Sequence, residues 1–201
     1  MAVEKRVLIS YIRRGSVKNF QRKDLMFSLC GLNCELCTMK LDNYCPGCGG
    51  GAGNQGCSIA KCSLRHENIE YCYLCNEYPC EKYKSIDKFD SFITHRNQLK
   101  DMKKSQEIGT EQYNSELIEK SEILKHLLEN YNDGRRKSFF SIAVNLLDLH
   151  DLKNIMEQIN SKTACENLVL KEKANVAVTV FQTAAEQKNI VLKLNKKRTK
   201  K

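Results

Sequence analysis

The chain has 201 residues, including 11 cysteines, two prolines and no tryptophan, and its formal net charge is +9. This length is enough for one domain or two small ones. No stretch is as long and apolar as a membrane span, and the first 20 residues lack the apolar core and cleavage site of a secretory signal. We therefore expect a cytoplasmic protein with reduced thiols and no membrane partner, because disulfides belong to oxidising compartments.

The positive charge is concentrated at the two ends of the sequence. Residues 1–29 carry a charge of +5 and residues 193–201 carry +6, so residues 30–192 carry −2. A basic tail can contact nucleic acid or simply keep a protein soluble. We expect a solvated tail, with nucleic acid as a secondary candidate partner, because the body of the chain has no basic surplus.

Four segments follow one another along the chain. We expect residues 1–27 to be a weakly structured N-terminal extension and residues 28–84 to be a cysteine-rich metal-binding module. Residues 85–189 should form a helical domain, and residues 190–201 a short apolar stretch with the basic tail. The fold class predicted is mostly α, with an irregular zinc-stapled N-terminal module packed on a four- to five-helix bundle.

The predicted module holds ten of the cysteines but few other apolar residues. Apart from cysteine, the 51 residues 30–80 include only 14 apolar ones. So small and polar a segment needs a covalent or metal staple to fold. A structural zinc site supplies about 10–16 kcal/mol of apparent binding free energy, which is also folding free energy.

Three C-x-x-C pairs in the module have the spacing of tetrahedral zinc sites: Cys34/Cys37, Cys45/Cys48 and Cys72/Cys75. Ten thiols suffice for two four-ligand sites with two left over. We favour Cys45, Cys48, Cys57 and Cys62 for one ion and Cys34, Cys37, Cys72 and Cys75 for the other, although the spacing does not fix this division. Cys30 and Cys80 are then alternate or additional ligands. His66 is a further candidate ligand, whereas Cys165 is expected to be an ordinary helix cysteine.

The stretches "CGLNCELC", "CPGC", "CSIAKC" and "YCYLCNEYPCEKY" resemble, in order and spacing, an uncharacterised family of bacterial and archaeal cysteine-rich domains to which zinc binding is ascribed. The resemblance covers residues 30–84 most specifically, and "FITHRNQLK" and "YNDGRRKSFFSIAVNLL" are similar to longer members. It implies that all ten cysteines belong to the family pattern. It implies no reaction.

Two other kinds of protein use similar cysteine patterns. Sets of four cysteines also hold iron–sulfur clusters. The spacing of Cys30, Cys34 and Cys37 is that of the radical S-adenosylmethionine motif, but no alternation of strands and helices follows it. A thiol-dependent redox enzyme is a further alternative, because Cys80 follows a proline and could precede a helix, whose dipole would lower its pKa.

Apolar residues with a period of 3.6 predict helices through most of residues 85–189. The first contains Phe89, Phe92 and Met102 and ends at Gly109. The second begins at Thr110, and "SFFSIAVNLLDL" should be the buried central helix. Arg135, Arg136 and Lys137 at the start of that helix form either a charged turn or an anion-binding site.

The sequence contains no recognisable catalytic set of residues. The chain is therefore expected to be a zinc-binding interaction or regulatory protein with an unknown protein partner, and not an enzyme.

Overall fold

A computed structural model of the protein describes residues 17–51, 56–164 and 167–197. In this part of the chain all regular secondary structure is helical, apart from one antiparallel bridge between Phe27 and Asn33. The helices are α1 (Thr38–Leu41), α2 (Ser58–Ser63), α3 (Gln98–Ile108), α4 (Thr110–Asn130), α5 (Lys137–Leu146), α6 (Leu149–Ala164) and α7 (Leu170–Gln187). Three single 3₁₀ turns lie at Cys34–Leu36, Cys72–Leu74 and Glu81–Tyr83. The predicted mostly helical class is confirmed.

Helices α3 to α7 form the larger part of the fold, in an order that follows the chain. Helix α3 packs on α4, α4 on α5, and α6 on α7. Gly109 separates α3 from α4 with φ of +86°, a left-handed conformation that suits glycine. Helix α5 is buried from Phe140 to its end, as its nearly uniform apolar sequence predicts.

The first predicted helix begins later than its apolar pattern suggests. Residues 85–97 fold as turns, and the helix starts only at Gln98. The carboxylate of Asp90 accepts hydrogen bonds from the backbone N–H of His95 at 2.7 Å and from that of Asn195 at 2.7 Å. One local and one long-range hydrogen bond thus fix the segment in a non-helical conformation, which overrides the local periodicity.

The segment before the cysteines is packed more closely than predicted. Phe20, Arg22 and Phe27 are buried, and residues 17–27 lie against the cysteine-rich region. The side chain of Arg22 donates to the backbone oxygens of Glu70 and Phe27, both at 2.9 Å. Residues 17–27 contain no helix but are held in place by these tertiary contacts, while residues 1–16 lie outside the described part of the chain.

One apolar core continues from the cysteine-rich region into the helices. Phe27, Leu36 and Tyr71 belong to the same buried cluster as Met102 of α3 and Tyr113 of α4. The rings of Phe27 and Tyr113 lie 4.7 Å apart, centre to centre. This core spans the predicted boundary at residue 84, and a second, smaller cluster of Phe20, Leu29 and Ala60 lies wholly before it.

Buried polar groups join the same two regions. Asn33 donates to Asp101 of α3 at 2.8 Å and accepts from the hydroxyl of Tyr113 at 2.8 Å. Gln98 donates to the backbone oxygen of Cys30 at 2.9 Å, and the hydroxyl of Ser141 donates to that of Leu36 at 2.6 Å. The helices thereby fix the orientation of the first cysteine turn, because each of these buried groups needs its partner.

Candidate metal centre

Two of the three C-x-x-C pairs have the same backbone conformation. The N–H of Cys37 donates to the oxygen of Cys34, and that of Cys75 to the oxygen of Cys72, each at 3.0 Å. The φ and ψ angles are −83° and 130° at Cys37 and −83° and 136° at Cys75. Each pair is thus a 3₁₀ turn that presents its two sulfurs to one side, as zinc-binding turns do.

The third pair, Cys45 and Cys48, lies in a glycine-rich turn pressed against residues 20–25. Gly47 has φ of +98°, and a Cβ atom there would lie 2.6 Å from the backbone oxygen of Leu25. A Cβ atom on Gly49 would lie 2.8 Å from the backbone nitrogen of Arg22. Only glycine permits this approach, which brings the guanidinium of Arg22 to the vicinity of Cys48.

Of the two cavities that several cysteines line, the larger has a volume of about 410 Å³. Five cysteines line it, together with residues 17–21 and Ala60: Cys30, Cys34, Cys45, Cys48 and Cys57. Cys37 lies close enough to Cys34 and Cys45 for their charges to interact. Residues 52–55, which join two sides of this cavity in sequence, lie outside the described part of the chain.

The smaller cavity has a volume of about 30 Å³ and collects the remaining four cysteines. These are Cys62, Cys72, Cys75 and Cys80, and His66 lines the same space. The sulfur of Cys75 lies 3.8 Å from Nδ1 of His66. This cavity has room for little more than a single water molecule or ion.

The electrostatics of the buried thiols favour their neutral form. Burial and the neighbouring Cys48 raise the pKa of Cys30 to about 12. Burial likewise raises the pKa of Cys72 to about 11, with the Cys80 and Cys62 thiols adding to the effect. A bound cation would lower these pKa values, because it stabilises thiolates that otherwise repel one another.

Several fixed groups already favour thiolate at single positions. Burial raises the pKa of Cys37, but the backbone N–H groups of Met39 and Lys40 point at its sulfur and oppose that shift. Burial also raises the pKa of Cys48, and the positive charge of Arg22 opposes it. N–H groups directed at sulfur and a nearby guanidinium are what a thiolate ligand requires.

The thiols are close neighbours but do not yet form a coordination sphere. Among the described residues, no group of three or more His, Cys, Asp or Glu side chains is arranged to hold a metal ion. All ten cysteines from Cys30 to Cys80 are free of disulfides. Ion binding would therefore require the thiols to move closer together than they lie in this structure.

The two cavities group the cysteines differently from the division that sequence order favours. Cys62 lies with Cys72 and Cys75 rather than with Cys45, and Cys34 lies with Cys45, Cys48 and Cys57. Sequence order does not reveal this, because α2 (Ser58–Ser63) turns the chain from one cavity to the other between Cys57 and Cys62.

Two sequence-predicted features, the basic start of α5 and Cys80, lie in environments that do not favour the chemistry proposed for them. Arg136 pairs with Asp133 at 3.5 Å and Lys137 with Asp42, so these cations serve contacts within the chain, while Arg135 is exposed. Cys80 precedes a single 3₁₀ turn, Glu81–Tyr83, and not a helix with a substantial dipole. Cys165 lies outside the described residues.

Two residues close to the thiols carry no recognisable sequence signal. Arg22 lies well before the first cysteine, and no local pattern connects it with Cys48. Tyr83 lines the smaller cavity, where burial and the Cys72 thiol raise its pKa. Both become apparent only once the chain is folded.

Comparison with models of protein families, with curated protein sequences and with solved structures gave no match to this chain. Of the helices in the described residues, none is both long and apolar enough to cross a bilayer.

Proposed function

We propose that the cysteine-rich region is a structural zinc-binding module within an interaction or regulatory protein. The observation that carries this proposal is the convergence of the cysteines on two shared cavities inside a small segment. Nine of the ten line one cavity or the other, and Cys37 lies beside the larger one. No catalytic role is assigned to any residue.

The donor chemistry fits zinc. Zinc binds thiolate and imidazole groups in tetrahedral sets of four, and the smaller cavity offers four thiols and one imidazole. The larger cavity offers two C-x-x-C pairs, Cys34/Cys37 and Cys45/Cys48, together with Cys30 and Cys57. When bound, the metal would supply the cross-links that this segment's limited apolar surface does not provide.

We assign Cys62, Cys72, Cys75 and Cys80 to one ion, with His66 as the alternate ligand. Cys34, Cys37, Cys45 and Cys48 then bind the second ion, and Cys30 and Cys57 are supporting or bridging thiols. This division replaces the one inferred from sequence order. It keeps the expected stoichiometry of two zinc ions per chain.

The volume of the larger cavity supports a second candidate, an iron–sulfur cluster. A space of about 410 Å³ is much larger than a single ion needs, and thiolates from cysteine are the usual cluster ligands. In that case the protein would be a cluster-binding or redox protein, with zinc confined to the smaller cavity.

Elemental analysis and a visible spectrum of anaerobically purified protein test both candidates. A colourless protein with about two zinc ions per chain supports the proposal, since each ion uses four ligands. A brown protein with stoichiometric iron and sulfide contradicts it and favours the cluster.

Paired variants test the division of ligands. Cys45→Ser/Cys48→Ser should lose one zinc ion and keep the other, and Cys75→Ser/Cys80→Ser should do the converse. Cys165→Ser, far from the cysteine-rich segment in sequence, is the matched control and should keep both ions. Loss of both ions from either pair would contradict independent sites.

A further inference from the structure

Hydrogen bonds join the loop of residues 86–96 to the C-terminal segment of residues 190–197. The N–H of Asp90 donates to the oxygen of Asn195 at 2.8 Å, and the N–H of Asn195 donates to the Asp90 carboxylate. The guanidinium of Arg96 donates to the oxygens of Val191 at 2.7 Å and Lys193 at 2.9 Å. The backbone of residues 191–195 is therefore hydrogen-bonded to residues 90–96, while Lys193, Lys196 and Lys197 are exposed.

Two phenylalanine rings of this loop face solvent. Phe92 is 52% exposed and Phe89 is 39% exposed, although Ile93 between the loop and the core is buried. The loop thus anchors itself with one apolar side chain and leaves two larger ones uncovered. Exposed aromatic side chains on a fixed backbone mark interaction surfaces more often than exposed aliphatic ones scattered singly.

Lysines accompany both rings. The ammonium of Lys88 lies 5.6 Å from the ring centre of Phe89, and that of Lys196 lies 5.8 Å from the ring centre of Phe92. The C-terminal segment that supplies Lys196 carries six Lys or Arg residues and no acid over residues 193–201. Residues 86–96 also contain two carboxylates, the buried and hydrogen-bonded Asp90 and the exposed Asp87.

We propose that this surface, formed by Phe89, Phe92, Lys88, Lys196 and Lys197, binds single-stranded nucleic acid. Unpaired bases would stack on the two rings, and the lysines would contact the phosphates on either side. Aromatic rings interleaved with basic groups are how proteins bind single strands without sequence preference. This inference is independent of the metal-binding proposal.

The geometry favours a single strand over the other polyanions that a basic surface can attract. Bases inside a duplex are stacked on one another and cannot stack on Phe89 or Phe92. A peripheral membrane site is usually an amphipathic helix that lies in the interface. Here the rings project from an irregular loop whose backbone is fixed by Asp90 and Asn195.

Fluorescence anisotropy with the full chain tests the proposal. The probes are a labelled mixed-sequence single-stranded RNA, the equivalent single-stranded DNA and the corresponding duplex. We expect both single strands to bind more tightly than the duplex. Phe89→Ala/Phe92→Ala should weaken single-strand binding at least about tenfold without changing its salt dependence, because stacking carries no charge.

Charge variants separate the role of the lysines from that of the rings. Lys196→Gln/Lys197→Gln should reduce the slope of log K against log salt by about 1.4, since each phosphate contact on a single strand contributes about 0.7. Ile108→Ala/Ile118→Ala, which removes exposed apolar side chains elsewhere, and Lys171→Gln/Lys173→Gln are matched controls. Circular dichroism and metal content should be unchanged in every variant.

Three results would overturn the proposal. The first is binding of duplex as tight as that of the single strands. The second is a loss of affinity in the Ile108/Ile118 control equal to that in the phenylalanine variant. The third is binding to vesicles of anionic lipid that depends on Phe89 and Phe92, because the surface would then be a membrane site.

Discussion

Replacement of Arg22 by alanine should destabilise the protein far more than replacement of another arginine in the same region. The Arg22 side chain is 1% exposed, and its guanidinium donates to the backbone oxygens of Glu70 and Phe27 at 2.9 Å and of Cys48 at 3.4 Å. It also lies 3.4 Å from the Glu70 carboxylate and 5.0 Å from the ring centre of Tyr71. One side chain therefore connects the N-terminal segment, the glycine-rich turn and the residues preceding the second 3₁₀ turn.

The expected loss in the free energy of unfolding is about 3–5 kcal/mol. A hydrogen bond from a charged donor contributes about 1.5–3 kcal/mol, and the two at 2.9 Å would both be lost. The ion pair with Glu70 adds little to this loss, because the Glu70 side chain is 28% exposed and solvent screens the pair.

Urea denaturation of the metal-loaded protein, followed by circular dichroism, measures the effect. The midpoint of Arg22→Ala should fall by about 1 M or more, given an m-value of about 3 kcal/mol/M for a chain of this size. The midpoint of Arg22→Lys should lie between those of the unmodified protein and Arg22→Ala. An ammonium keeps the charge but cannot donate several hydrogen bonds in one plane as a guanidinium does. Arg65→Ala, which removes an exposed arginine of the same region, is the control. A loss in Arg22→Ala no greater than in Arg65→Ala would refute this role for Arg22.

Three further predictions concern protonation, metal removal and thiol reactivity. Burial raises the pKa of Asp101 from 3.8 to about 6. Between these two pH values the folded chain keeps a proton that the unfolded chain loses. The free energy of unfolding should therefore fall by about 3 kcal/mol as the pH rises from about 4 to about 6. Asp101→Asn, compared by denaturation at each pH, should lack this fall, and an identical pH profile would contradict the assignment. After treatment with a strong chelator, limited proteolysis should cut first within residues 28–84 while α6 and α7 persist. Mass spectrometry of the fragments measures this order. If residues 28–84 resist the protease without metal, the metal is not structural. Cys80 should resist alkylation at neutral pH in the zinc-loaded protein and react after chelation, whereas selective labelling before chelation would identify a reactive thiol.

The sequence by itself determined the helical class and most of the helix positions. The period of apolar residues and the glycines at 109 and 134 predicted α4 and α5 well, because a helix that buries one face must repeat that face every 3.6 residues. The concentration of cysteines between Cys30 and Cys80 also predicted a metal-binding region there. Both are local properties, which neighbouring residues fix without reference to the rest of the chain.

Only the tertiary structure decided which cysteines are neighbours and which segments support them. The larger cavity joins Cys34 to Cys57, and the smaller joins Cys62 to Cys80, because α2 redirects the chain between Cys57 and Cys62. No spacing rule encodes such a redirection, since several pairings of C-x-x-C turns satisfy zinc equally well. The burial of Arg22 was likewise decided only by the tertiary structure. It depends on contacts between residues almost 50 positions apart, and sequence periodicity carries no information about such pairs.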